Sequence, residues 1–186
     1  MKLTIREYLL AALFAALTAI GAFISIPLAF YPVPMTLQTL FVFLAGLCLR
    51  PRAALWSQIV YVAVGLIGIP IFARGGGIQY VLNPTFGFLL AFVIAAPLIS
   101  VAARKYLFAP GNNLRFALCA AGIALGIEAL GIAYMLLISA FYIGTPLAAE
   151  TALYLLVIFL PLDLVKLAVS TGIAVQLKKR LSGLIA

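Results

Sequence analysis

Of 186 residues only 12 are Lys or Arg and 4 are Asp or Glu, so 9% carry charge, where a soluble domain has about a quarter. With 67% hydrophobic residues and a mean hydropathy of +1.28, the chain excludes a water-soluble globule; at about 20 residues per span it holds six or seven spans and no sizeable nucleotide-hydrolysing domain. The net charge of +8 reads as membrane orientation rather than nucleic-acid binding, because Lys and Arg collect in cytoplasmic loops, and the absence of His removes the commonest general base and metal ligand.

The first apolar stretch covers 8–27, after a polar start with Lys2, Arg6 and Glu7. A signal peptide ending at Ala19-Ile20-Gly21-Ala22 is the alternative, disfavoured because the later spans need a partner to make the loop charges consistent. Alanines at 11, 15 and 19, flanked by Ala12 and Ala16, form a smooth stripe suited to helix contact, since lipid is as apolar as leucine and small residues let helices approach. The stripe serves either the bundle or another protein. Phe30-Tyr31-Pro32-Val33-Pro34 then makes a turn stiffened by two fixed φ angles.

The second stretch covers 35–49, with Thr36, Gln38 and Thr39 at its outer end, and the third covers 53–71, with Ser57, Gln58 and Tyr61 clustered. Trp56 is expected to anchor at the cytoplasmic interface. Arg74-Gly75-Gly76-Gly77 follows; three glycines admit backbone conformations closed to other residues, for a lid, a close approach to a ligand, or a flexible hairpin. The fourth stretch covers 86–103, the fifth 116–141 and the sixth 151–177. In the fifth, Gly122 and Gly126 make a GxxxG pattern expected to pack within the bundle. Cys48 and Cys119 lie in apolar runs and are expected to be buried small hydrophobes.

Loop charges orient the chain. Lys2, Arg6, Arg50, Arg52, Arg104, Lys105, Arg115, Lys178, Lys179 and Arg180 fall on one side, and Arg74 alone among the basic residues falls on the other. That asymmetry predicts six helices with both termini cytoplasmic and outer connections at about 28–34, 70–85 and 142–150.

Three charges fall inside spans. Each costs several kcal/mol near the bilayer centre and so needs a partner or a function. Asp163 and Lys166 are three apart, which puts them on one helix face; they neutralise each other or present a donor and acceptor to a ligand. Pro161 beside them leaves the carbonyl of Val157 without its helical donor. Glu128 has no Lys or Arg within one turn; it meets Lys166, a ligand, or a hydrogen-bond partner across the bundle. No GxxxxGK[ST], HExxH or GxSxG pattern is present, so phosphate-loop binding and the hydrolase motifs are excluded.

Pro32-Val33-Pro34-Met35-Thr36-Leu37-Gln38-Thr39 with Leu44-Ala45-Gly46, Gly65-Leu66-Ile67-Gly68-Ile69-Pro70-Ile71-Phe72, Asn83-Pro84-Thr85-Phe86-Gly87-Phe88 and Pro161-Leu162-Asp163-Leu164-Val165-Lys166 resemble, in order and spacing over nearly the whole chain, the BioY family. These are the biotin-specific substrate-binding (S) components of energy-coupling factor (ECF) transporters. The resemblance implies a single all-α membrane domain, a six-transmembrane-helix bundle of the ECF S-component type, in the bacterial or archaeal inner membrane. It implies biotin capture without catalysis or cofactor, and partnership with a membrane coupling subunit of the EcfT/BioN type and a pair of cytoplasmic ABC ATPases.

The resemblance makes Asp163 and Lys166 ligand contacts, and an AxxxA pattern facing the coupling subunit falls on Ala11 and Ala15 or Ala12 and Ala16. Arg74 before the glycines and Asn83 in place of a frequent glycine depart from common members, and Glu128 is outside the family motif. Biotin chemistry agrees with these residues: Asp163 can accept from ureido N–H groups and Lys166 can donate to the ureido carbonyl. Tyr80, Phe86, Phe30 and Tyr31 offer an apolar wall, and Arg74 or Asn83 could meet the carboxylate. Gln38, Gly76 and Glu128 complete the expected site. The rival readings are another vitamin for the same class of component, or a facilitator independent of ATPases.

Overall fold

A computed structural model of the protein describes residues 3–26, 33–109 and 112–180. The Phe30-Tyr31-Pro32 part of the first outer turn lies outside the described residues. Helix α1, Ile5–Phe23, starts at a capping box in which Thr4 and Glu7 satisfy each other's backbone N–H groups, a motif that fixes a helix start. Strands β1, Ser25–Ile26, and β2, Met35–Thr36, pair antiparallel. Helix α2, Gln38–Cys48, is followed by α3, Pro51–Leu66, with Pro51 in the first turn, where its missing N–H costs nothing. A 3₁₀ turn, Ile78–Leu82, leads to α4, Phe86–Ala102; α5 is Asn113–Ile138 and α6 is Ala149–Arg180.

Four stretches are long and apolar enough to cross a membrane: Ile5–Phe23, Phe86–Leu107, Asn113–Ile143 and Glu150–Arg180. Six helices are described, as expected, but α2 and α3 are shorter than the stretches 35–49 and 53–71. Helix α2 has only 11 residues and α3 has 16, at 1.5 Å per residue too short for a hydrocarbon layer of about 30 Å. The packing explains why α2 tolerates this. It touches α1, α4 and α6 extensively and α3 more lightly, and nine of its eleven residues are buried. Protein surrounds it on most sides, so its irregular ends need not face lipid.

The periphery is apolar. Leu9, Leu13 and Ile20 on α1, Leu90, Ile94 and Leu98 on α4, and Leu153, Val157 and Val165 on α6 are all exposed, an arrangement whose natural solvent is lipid. At one end Arg50 pairs with Glu7 at 3.8 Å, with Arg104 nearby, and Lys178 lies over the Phe108 ring at 3.8 Å.

Helix contacts use glycines other than the expected pair. A Cβ on Gly46 would sit 2.7 Å from the Ala96 carbonyl oxygen, one on Gly87 2.2 Å from Tyr134 Cβ, and one on Gly131 2.3 Å from the Phe88 ring. Those three permit the α2–α4 and α4–α5 approaches. Gly122 and Gly126 have nothing within 4 Å of the same position, so the GxxxG pattern faces away from the bundle. Periodicity located the stripe but could not say which side of α5 the neighbours occupy. Cys119 lies on that outer side and is exposed, while Cys48 is buried.

On α1 the alanines separate by face. Ala11, Ala15 and Ala19 are buried, whereas Ala12 and Ala16 are exposed.

Candidate functional site

A cavity opens among α2, α4, α5, α6 and the loop between α3 and α4, with about 480 Å³ of free space between its walls, part of it open to solvent. Its polar floor is built on α6 and α2. Lys166 Nζ donates to Asp163 Oδ1 at 2.8 Å and to Thr39 Oγ1 at 3.0 Å, while Thr39 Oγ1 donates to the same Asp163 oxygen at 2.8 Å. Three groups 124 to 127 positions apart, or three within one helix, thus form a closed triangle. The Asp163 side chain is 2% exposed and that of Lys166 11%. Charge-assisted bonds of this kind are stronger than neutral ones, and a buried charge needs them to offset desolvation.

Glu128 on α5 faces this triangle across the cavity. It is 2% exposed, and its carboxyl lies beside Asp163 and within the field of Lys166. Glu128 Oε2 and Asp163 Oδ2 have no donor partner among the described residues.

Gln38, at the first position of α2, is clamped from both sides. Its Oε1 accepts from Thr36 Oγ1 at 3.0 Å, and its Nε2 donates to the Tyr61 hydroxyl at 2.7 Å. Tyr61 passes the chain on to the Ile71 carbonyl at 3.1 Å. The polar group expected around Tyr61 divides here. Tyr61 turns toward the cavity, while Ser57 and Gln58 turn toward Thr18 of α1, with Gln58 Nε2 donating to Ser57 Oγ at 3.1 Å and to Thr18 Oγ1 at 3.4 Å.

The loop supplies the remaining wall. Tyr80 packs against Phe72 with ring centroids 4.6 Å apart and the rings tilted by 50°, and its hydroxyl meets Thr85 Oγ1 at 2.9 Å. Burial pushes the Tyr80 phenol above its ordinary pKa, so it works as a neutral hydrogen-bonding group. Asn83 does not line the cavity. Its Oδ1 accepts from Thr85 N and Oγ1 at 3.0 and 2.8 Å, an Asx turn that holds Thr85 against Tyr80. Arg74 is exposed on the loop and outside the cavity lining.

Gly76 acts through the backbone. A Cβ there would lie 2.3 Å from the Ile69 carbonyl oxygen, and its neighbour Gly77 donates to Gly65 O at 2.7 Å. Gly75 and Gly77 have φ of 114° and 100°, the left-handed region that favours glycine. The triplet is thus a bonded strap across α3 rather than a free hairpin. Gly76→Ala is expected to displace the strap and lower the melting temperature of the detergent-solubilised protein by several degrees, through an overpacking cost of about 1–3 kcal/mol; an unchanged melting curve would show that the strap yields freely.

Gln38, Tyr80, Glu128, Asp163 and Lys166 therefore share one cavity, while Asn83, Gly76 and Arg74 stand behind or beside it. Reading the sequence missed the apolar wall of Phe88, Leu89 and Phe92 on α4 with Phe159 on α6. The spacing of 88, 89 and 92 carries a one-face signal, but so does every apolar helix facing its neighbours. Phe86 is buried outside the lining, against the Tyr134 ring at 5.9 Å.

Comparison with known proteins bears on this site. The model of the BioY family matches residues 1–183. The chain is 37% identical to the biotin transporter BioY of Thermotoga maritima, over 94% of this chain and 96% of that protein, and 38% identical to the probable biotin transporter BioY of Bacillus subtilis, over 92% and 89%. A probable biotin transporter BioY of Lysinibacillus sphaericus is 59% identical over 47% of this chain, a match spanning only 44% of that protein's length. The crystal structure of an S-component for biotin from an ECF-type ABC transporter superposes with a TM-score of 0.71 and 26% identity, covering 96% of this chain and 95% of the other. With a family model spanning nearly its whole length and full-length relatives above a third identical, the chain belongs to the BioY family.

Proposed function

We propose that this protein captures biotin as the S component of an ECF transporter, a binding protein with no catalytic step. The observation that carries this reading is the cavity itself: an Asp163–Lys166–Thr39 triangle beneath aromatic walls, in a BioY-family chain. The ureido group lies at the triangle, where leaving its N–H and C=O groups unpaired would cost a few kcal/mol each. The thiophane ring rests against Phe88, Phe92, Phe159 and Tyr80. Gln38, held by Thr36 and Tyr61, sits beside it. The carboxylate points to the loop, where Arg74 is the available cation, and Asn83 and Gly76 hold the loop in place.

The same reading places six transmembrane passes in one domain in the cell membrane, with both termini cytoplasmic. The convergence of Glu7, Arg50 and Arg104 at one end of the bundle supports that orientation. The partners are a coupling subunit of the EcfT/BioN type, docking on Ala12 and Ala16, and a pair of ABC ATPases that drive inward release. Mass spectrometry of small molecules released from the purified protein is expected to find biotin in stoichiometric amount. A different vitamin in that fraction overturns the assignment, and biotin uptake by cells lacking the ATPases would recast the protein as a facilitator.

A further inference from the structure

The two buried oxygens without donors, one on Glu128 and one on Asp163, are not used by the triangle. Among the described residues, the charged and titratable side chains lining the cavity are Glu128 on α5, Asp163 and Lys166 on α6, and Tyr80 on the loop; α2 and α4 contribute none to the lining. Two carboxylates with a single ammonium would leave an unbalanced negative charge on side chains that are almost wholly buried, and like charges in one site do not both ionise readily. One proton on the pair makes the group neutral. Lys166 and Thr39 already donate to Asp163 Oδ1, so Asp163 is the partner best supported as the anion, which leaves the proton to Glu128.

We propose that Glu128 acts as a protonated carboxyl beside the Asp163 carboxylate, and that the two together read the cis N–H and C=O edge of a cyclic urea or lactam. This rests on the assignment of the cavity as the ligand site and adds a recognition residue to it. A carboxylic acid next to a carboxylate presents a donor and an acceptor side by side. A ring urea or lactam presents the complement, because its N–H and C=O are held cis by the ring. The Glu128 hydroxyl donates to the ligand carbonyl, and the Asp163 oxygen that has no donor among the described residues accepts the ligand N–H. Two buried oxygens gain one hydrogen bond each, and no charge is created in the membrane interior. Ligands without such an edge would leave a buried donor and acceptor unmatched, which is how a site rejects close analogues.

The test is calorimetric titration of biotin into the full chain in detergent, after bound small molecules have been released from it. Glu128→Met, which removes the donor, is expected to weaken binding about a hundredfold. Glu128→Gln, whose amide still donates, is expected to stay within about tenfold of wild type. If Gln loses as much as Met, Glu128 works as an anion and the proposal falls; if Met binds as wild type does, Glu128 takes no part. Wild type that binds no biotin overturns the assignment of the ligand instead. Infrared spectroscopy supplies a readout that needs no stable loss-of-function variant: a protonated-carboxyl carbonyl band is expected in wild type, shifting when biotin is added and missing from Glu128→Gln. A wild-type protein without that band overturns the proposal.

Discussion

Lys166→Met is expected to remove detectable biotin binding and to lower the thermal stability of the protein in detergent. Lys166 Nζ holds Asp163 at 2.8 Å and Thr39 at 3.0 Å, and Asp163 is only 1% exposed. Deleting the ammonium leaves a buried carboxylate without its cation and beside Glu128. Breaking a buried pair from one side costs about 3–5 kcal/mol, and with tenfold in affinity for every 1.4 kcal/mol a loss above about a hundredfold is expected. Asp163→Asn alone removes the proposed ureido acceptor while leaving the amide to bridge Thr39, so binding should weaken about 10–100-fold with the bundle assembled. The double variant, Lys166→Met with Asp163→Asn, carries neither charge of the pair. Its melting temperature is expected to exceed that of Lys166→Met although it binds no better. A double variant as unstable as the single one would show that the loss came from packing rather than from the stranded charge.

Ala16→Trp is expected to abolish co-purification with the coupling subunit while leaving biotin affinity unchanged. Ala12 and Ala16 are exposed between Leu9, 68% exposed, Leu13, 52%, and Ile20, 50%, so α1 offers a flat seat between apolar ridges where another helix can approach closely. An indole on that seat holds the partner off. Ala15, 7% exposed, sits on the inner face, and Ala15→Trp would have to force the bundle apart, lowering stability before any question of docking arises. Retention of the coupling subunit by Ala16→Trp would move the docking face elsewhere.

Some of the site could be seen before any fold was known. Asp163 and Lys166 are three apart on one helix, and a local rule is enough to pair them. Charge scarcity and mean hydropathy pointed to the membrane because they depend on composition alone. Other features depended on which helix lies beside which. The alternating alanines of α1 predicted two faces without saying which was covered. Gly122 and Gly126 suggested a contact on a side of α5 that has no neighbour among the described residues, and the close approaches fall instead at Gly46, Gly87 and Gly131, isolated in sequence. Asn83 and Gly76 were expected at the ligand because loops with such chemistry often are; in the structure Asn83 accepts from Thr85 and Gly76 lies tightly against the carbonyl of Ile69, placements that only the packed loop reveals.

The amino-acid sequence by itself determined a lipid-embedded helical chain, the pairing of Asp163 with Lys166 and the resemblance to its family, because composition, i to i+3 spacing and ordered motifs are properties of the chain read along its length. Only the tertiary structure decided that Thr39 closes the triangle, that α2 is an enclosed short helix, and that Glu128, 35 positions from Asp163, faces it. Periodicity fixes directions around one helix axis, but the identity of the group met in that direction depends on how separate helices pack, and in a buried cavity that meeting sets which charges can exist.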